Sequence, residues 1–165
     1  MSLRDMTSED TGNGGREVTI TYADGTRRKL LIVDEEVAFP EGRLIVSRTD
    51  PEGIITHANE SFVRMSGFTK EELMGTPHYI LRHPDMPAIA FKGLWDTISQ
   101  GRKWHGYVKN LRKDGKYYWV HAVVVPNVRG GKIVGYASVR RKPSRSKIAE
   151  CETLYRKLLA EEVKP

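Results

Sequence analysis

The sequence has a single cysteine, Cys151, in 165 residues. An internal disulfide is therefore excluded, and so is any cysteine-based metal cluster. No apolar run approaches the roughly 20 residues needed to span a bilayer. The first ten residues, MSLRDMTSED, lack the apolar core of a signal peptide. A cytoplasmic location is the simplest expectation, with no membrane segment in this chain. GxSxG, a phosphate-binding glycine loop, HExxH and a convincing carboxylate pair are also missing. These residues give an enzyme no support.

What is present is ordinary for one soluble domain with its own core: 29% charged and 39% hydrophobic residues. The net charge of +6 is unevenly spread, with −5 over residues 1–100 and +11 over residues 101–165. Such asymmetry can signal an acidic partner or nucleic acid. Here the basic residues follow alternating patterns and carry no known motif, so they read as solvated strand and helix faces. The run Arg140 to Lys147 reads as a junction, and no nucleic-acid partner is expected.

Along the chain, residues 1–15 are polar and glycine-rich and are expected to be disordered. Residues 16–43 form an N-terminal extension. In it Glu17–Tyr22 alternates, Asp24-Gly25 marks a tight turn, and Arg27–Val33 can return as a second strand. A domain over 44–143 then opens with strands Leu44–Thr49 and Ile54–Ala58. Asn59 can cap a helix over 60–66, and Thr69 with Glu72 makes a capping box for another. Residues 88–98 place apolar side chains on one helical face. Three strands follow, over 104–112, 117–127 and 132–140. Residues 144–165 read as an amphipathic terminal helix suited to output or dimerisation. Runs of strands with segregated helices predict an α+β fold, with one antiparallel sheet and short helices on one face.

Between two helices lies GTPHYILRHPDMP, residues 75–87, with two histidines, an arginine, an aspartate and three prolines. With IVSRTDPEGIITHANESFVRMSGFTKEEL before it and the KWHGYVKN and YYWV blocks after it, the chain resembles PAS domains. Within them it is similar to the flavin-binding PAS domain of bacterial aerotaxis receptors. The resemblance covers residues 44–144. It implies a five-stranded antiparallel sheet that encloses a cofactor cavity with its helices. It also implies a bound FAD reporting redox state or oxygen supply to a signalling protein or receptor domain, as in energy taxis.

In that family the residues matching Arg82, His83 and Asp85 are implicated in flavin binding, and Trp104 and Asn110 match flavin-associated positions. Physically, Arg82 and His83 can supply cationic or hydrogen-bonding contacts, and Asp85 can accept hydrogen bonds or orient them. Pro77, Pro84 and Pro87 stiffen the loop. Alternatively RHPDMP is a self-capping turn whose Asp85 caps the next helix. Asn110 offers a donor and an acceptor from within a strand. Phe91 and Trp95 can line the cavity or pack in the core. Tyr118 and Trp119 point to opposite faces of one strand, so only one faces inward.

The chain departs from the family where Tyr79 replaces a frequent asparagine, and in its N-terminal hairpin. Neither a membrane anchor nor a signalling domain follows the PAS segment, so a fragment or a small sensor needing a partner is expected. Cys151 lies outside the cavity-forming stretch, against adduct photochemistry. The rival readings are a haem-binding gas sensor using His57, His78, His83, His105 or His121, and a cofactor-free interaction module forming a homodimer.

Overall fold

The computed structural model describes residues 3–162. Two sheets form. The smaller is the hairpin of β1 (Arg16–Thr21) and β2 (Arg27–Ile32), paired antiparallel from Arg16↔Ile32 to Thr21↔Arg27. Its turn closes because the Asp24 carboxylate accepts from the Thr26 amide at 2.9 Å while Gly25 takes a positive φ of 84°.

The larger sheet has the order β4-β3-β7-β6-β5. Its strands are β3 (Ile45–Thr49), β4 (Ile55–Ala58), β5 (Trp104–Leu111), β6 (Tyr117–Arg129) and β7 (Lys132–Arg141). All four pairings are antiparallel. Between β4 and β5 run the helices α2 (Glu60–Ser66), α3 (Lys70–Leu73) and α4 (Ala88–Ile98), with a 3-10 turn at His78–Leu81. Local chemistry sets their limits. The Asn59 side chain accepts from Phe62 N at 3.0 Å to start α2, and the same oxygen accepts from Val46 N at 3.1 Å, tying the helix to β3. Thr69 and Glu72 form the expected reciprocal capping box on α3.

Strand alternation divides the two faces of this sheet. On β6, Val120, Ala122 and Val124 face the helices, and Tyr118 lies in the same direction in the main core with Phe62, Leu73 and Leu81. Trp119 faces the other way, where α5 (Arg145–Glu162) crosses the sheet. Its ring stacks on Tyr155 at 6.2 Å, and the Tyr155 hydroxyl donates to the Tyr107 carbonyl at 2.6 Å. Of the strand pair weighed in the sequence, Tyr118 is thus the inward one.

The N-terminus corrects the expectation of disorder over residues 1–15. Residues 3–15 are packed chain and include a short helix, α1 (Ser8–Thr11). Met6 is buried against the hairpin with Ile20, Leu30 and Ile32. Arg4 pairs with Asp10 at 2.7 Å, and the Asp5 carboxylate accepts from Lys29 N at 2.8 Å. The polar composition was spent on specific partners, and one methionine plugs the hairpin. The expectation for the C-terminal helix agrees over residues 145–162; its reach to 163–165 lies outside the described residues, as do residues 1 and 2.

The hairpin docks on the β5–β6 turn. Val33 N donates to the Gly115 carbonyl at 2.8 Å. A Cβ at Gly115 would sit 2.5 Å from the Leu31 carbonyl oxygen, and its φ is +85°, so only glycine permits this approach.

Candidate functional site

The inner face of the sheet, α4 and the 3-10 turn surround a cavity of about 630 Å³, the size of a cofactor site. Val120, Ala122 and Val124 make an apolar strip along its floor. Phe91, Leu94 and Trp95 of α4 form a wall. Trp95 meets Tyr136 edge-on at 5.6 Å and is 39% exposed, which puts it at the rim. Trp104 lies along its own strand over Gly106: a Cβ there would come within 2.5 Å of the indole. Glycine at 106 is what lets the ring lie flat against the sheet.

The stretch 75–87 is held to the sheet by backbone. Ile55 N donates to Thr76 O and His78 N to Gly53 O, both at 2.9 Å, and Arg82 bridges antiparallel to Asn110. Two of the predicted residues are therefore neighbours, and both line the cavity. Asn110 is 4% exposed within the floor. The Arg82 guanidinium lies over the Phe91 ring at 5.0 Å and donates to Met86 O at 3.4 Å. Beside it, the Ala88 amide at the start of α4 donates to the Glu162 carboxylate of α5. A cationic mouth is thus answered by an acid from the terminal helix.

Of the eight predicted site residues, Arg82, Phe91, Trp95, Trp104 and Asn110 line the cavity; His83, Asp85 and Tyr118 do not. The chain turns at Pro84, and the second half of the loop faces β5 and Tyr117. The His83 ring is fully buried, accepts from Asp85 N at 3.0 Å and meets Tyr117 edge-on at 6.0 Å. Burial and then Lys109 push its pKa below the usual histidine range. Asp85 pairs with Lys109 at 2.8 Å. Burial opposes its charge, but Lys109 and nearby cations prevail and hold the carboxylate below its ordinary pKa. Asp85 does not cap α4, whose first position follows Pro87 with no side-chain cap. Tyr118 is fully buried in the core. These three stand behind the lining residues, where they fix the loop and the sheet.

Sequence reasoning missed Arg140 and Ser47 on the inner floor and weighed His78 there only as a haem ligand. Arg140, only 2% exposed, donates to the Ser47 hydroxyl and, at 3.2 Å, to His78 Nε2. Its guanidinium covers the Phe62 ring at 4.4 Å. Burial, and then the Arg140 charge, hold His78 neutral, with a pKa lowered to about 3. The available signal was alternation: Tyr136, Ser138 and Arg140 share the inward parity of β7. At the mouth, Tyr22 of the hairpin stacks on Tyr79 at 4.1 Å, and the Tyr79 hydroxyl donates to Asp24 at 2.7 Å. The tyrosine that departs from the family's asparagine is thus the anchor of the added hairpin.

A family profile described as PAS fold matches residues 55–140, just over half of the chain. The chain belongs to the PAS family. It is 46% identical over 129 residues to the aerotaxis receptor of Escherichia coli (strain K12), covering 78% of this chain and 26% of the receptor. It is 32% identical over 95 residues to the biofilm dispersion protein BdlA of Pseudomonas aeruginosa, covering 54% of this chain and 22% of that protein. The chain thus spans about a quarter of the length of these relatives. Among solved structures, the light state of the blue-light photoreceptor Aureochrome1 LOV aligns with a TM-score of 0.58 at 25% identity, over 72% of this chain and 89% of the other. This PAS domain groups with sensor domains of signalling proteins. Among the described residues no helix is long and apolar enough to cross a membrane.

Proposed function

We propose that this PAS domain binds FAD and serves as a redox or oxygen sensor of the energy-taxis type, passing its state to a signalling protein or receptor domain. The observation that carries the reading is the pairing of Arg82 and Asn110 at one end of an apolar, aromatic-walled slot. A flavin needs an apolar slot, aimed polar groups at its ring edge and positive charge near its phosphates, and the lining residues meet each need. Bound flavin supplies reversible electron uptake.

The protein's own groups do the rest. The Asn110 amide offers both a donor and an acceptor to a ring edge. Arg82 is the cation at the mouth, where a diphosphate would compete with Glu162 for the same partners. Phe91, Trp95 and Trp104 exclude water. Asn110 shares β5 with Tyr107, whose carbonyl takes the Tyr155 hydroxyl. A change in hydrogen bonding at Asn110 therefore has a short route along β5 to the hydrogen bond that holds α5, and biasing α5 is a small shift acting on a two-state contact. A haem reading is weaker on the same geometry. His78 is the histidine among the cavity-lining residues, and its Nε2 is already taken by Arg140.

The test is an absorption spectrum of the purified protein, with chromatography of what heat releases. A flavin spectrum and released FAD are expected, and Asn110→Ala should weaken FAD binding about tenfold or more. A haem spectrum contradicts the proposal. A colourless protein that refuses added FAD also contradicts it and leaves a PAS module for protein interaction.

A further inference from the structure

The deep end of the cavity holds a cation with no anion to match it. Arg140 is almost wholly buried, yet its partners are a hydroxyl, a neutral imidazole and an aromatic ring. Among the described residues no carboxylate lies within ion-pair distance of it, and its Nε has no hydrogen-bond partner. A buried, unpaired charge is costly to a fold. The groups around it do nothing to neutralise it. Burial lowers the Arg140 pKa only to about 10, so it is charged at neutral pH. Ser47 and His78 both accept from it, which fixes its orientation beside the cavity floor.

We propose that Arg140 makes the inner cavity selective for charge, binding the ligand state that carries an additional negative charge in preference to the neutral one. This rests on the flavin reading above: a reduced, singly anionic flavin is held more tightly than the oxidised ring. In that reduction two electrons leave a low-potential donor and enter the ring with one proton from solvent. The ring's net charge falls by one, and the fixed guanidinium meets it without rearrangement. Because the reduced state is favoured, the midpoint potential of the bound flavin rises above that of free flavin. Arg140 is thus a positioning and tuning residue, separate from Arg82 at the mouth.

The experiment measures FAD dissociation constants in the oxidised state and, under anaerobic dithionite, in the reduced state. It uses the wild-type chain and the variants Arg140→Met, Arg140→Lys and Ser47→Asp. Wild type is expected to bind the reduced form more tightly. Arg140→Met should lose at least about tenfold of that ratio, a fall of about 30 mV for a two-electron couple, whereas Arg140→Lys keeps the charge and most of the preference. Ser47→Asp sets a carboxylate beside the guanidinium, cancels its charge without removing it, and should lower the ratio in the same direction. An unchanged ratio in Arg140→Met or, if that variant does not fold, in Ser47→Asp overturns this inference and leaves the flavin reading standing. A wild-type chain that binds FAD in neither state overturns the flavin reading and this inference with it.

Discussion

The two faces of the five-stranded sheet use the same alternation for opposite ends. The outer face is covered by α5: Trp119 stacks on Tyr155, and the Tyr155 hydroxyl is satisfied by Tyr107 O, although the Trp119 Nε1 has no hydrogen-bond partner. The inner face is unfinished. It leaves a cavity where a close-packed core would normally be filled, and it sets Asn110 and an uncompensated Arg140 around that space. Arg140 keeps a buried charge that no carboxylate answers among the described residues, and it does so beside open space. The outer face reads as the stabilising and relaying surface, the inner one as the sensing surface.

The contrast can be broken most severely at Trp119. Trp119→Ala should cost about 3–5 kcal/mol of stability by uncovering the contact with α5, measured as a drop in urea midpoint at unchanged slope. A loss under 1 kcal/mol would mean that α5 is not seated there. On the inner face, Gly106→Ala drives the Trp104 indole off the sheet. A stability change of about 1–3 kcal/mol is expected, together with altered Trp104 fluorescence; unchanged emission would show that the ring does not lie over Gly106.

Acid sharpens the comparison. His78 has a folded-state pKa of about 3 against an ordinary 6.5. Its contribution is therefore fully present above pH 6.5 and is lost as pH falls from 6.5 towards 3, because the unfolded chain takes up the proton first. Stability should drop by about 1.4 kcal/mol per pH unit in that window, with His83, also depressed, adding in the same direction. His78→Gln should flatten the slope; an unaltered slope would assign the acid sensitivity elsewhere. The smallest effect is at Tyr155→Phe, where losing the bond to Tyr107 O should cost about 1 kcal/mol. Faster amide exchange in α5 alone is the accompanying signature, and exchange spread evenly over the sheet would speak against a local relay.

Much of the fold was legible because it is written locally. Strand parity, the Asn59 cap, the Thr69–Glu72 box and the Asp24-Gly25 turn each depend on residues a few positions apart. The packed N-terminus was not legible, since Met6 and Asp5 gain their partners only from the hairpin in three dimensions. The candidate site was half legible. A loop with three prolines has no period, so nothing in RHPDMP says that Arg82 faces the cavity while His83 and Asp85 turn towards β5 and Tyr117. Arg140 was hidden in a basic run that looks solvated. Its neighbour Arg141 is indeed exposed, and only parity along β7 separates the two.

The central claim is that the inner face leaves its space open for a flavin. Ala122→Phe tests it most directly, by filling the floor with an apolar ring and removing none of the polar groups. Titration of FAD into the wild-type and Ala122→Phe proteins, each confirmed as folded by its thermal transition, should give binding in the first and at least tenfold weaker binding in the second. Equal affinity in both would place the flavin outside this cavity and contradict the account.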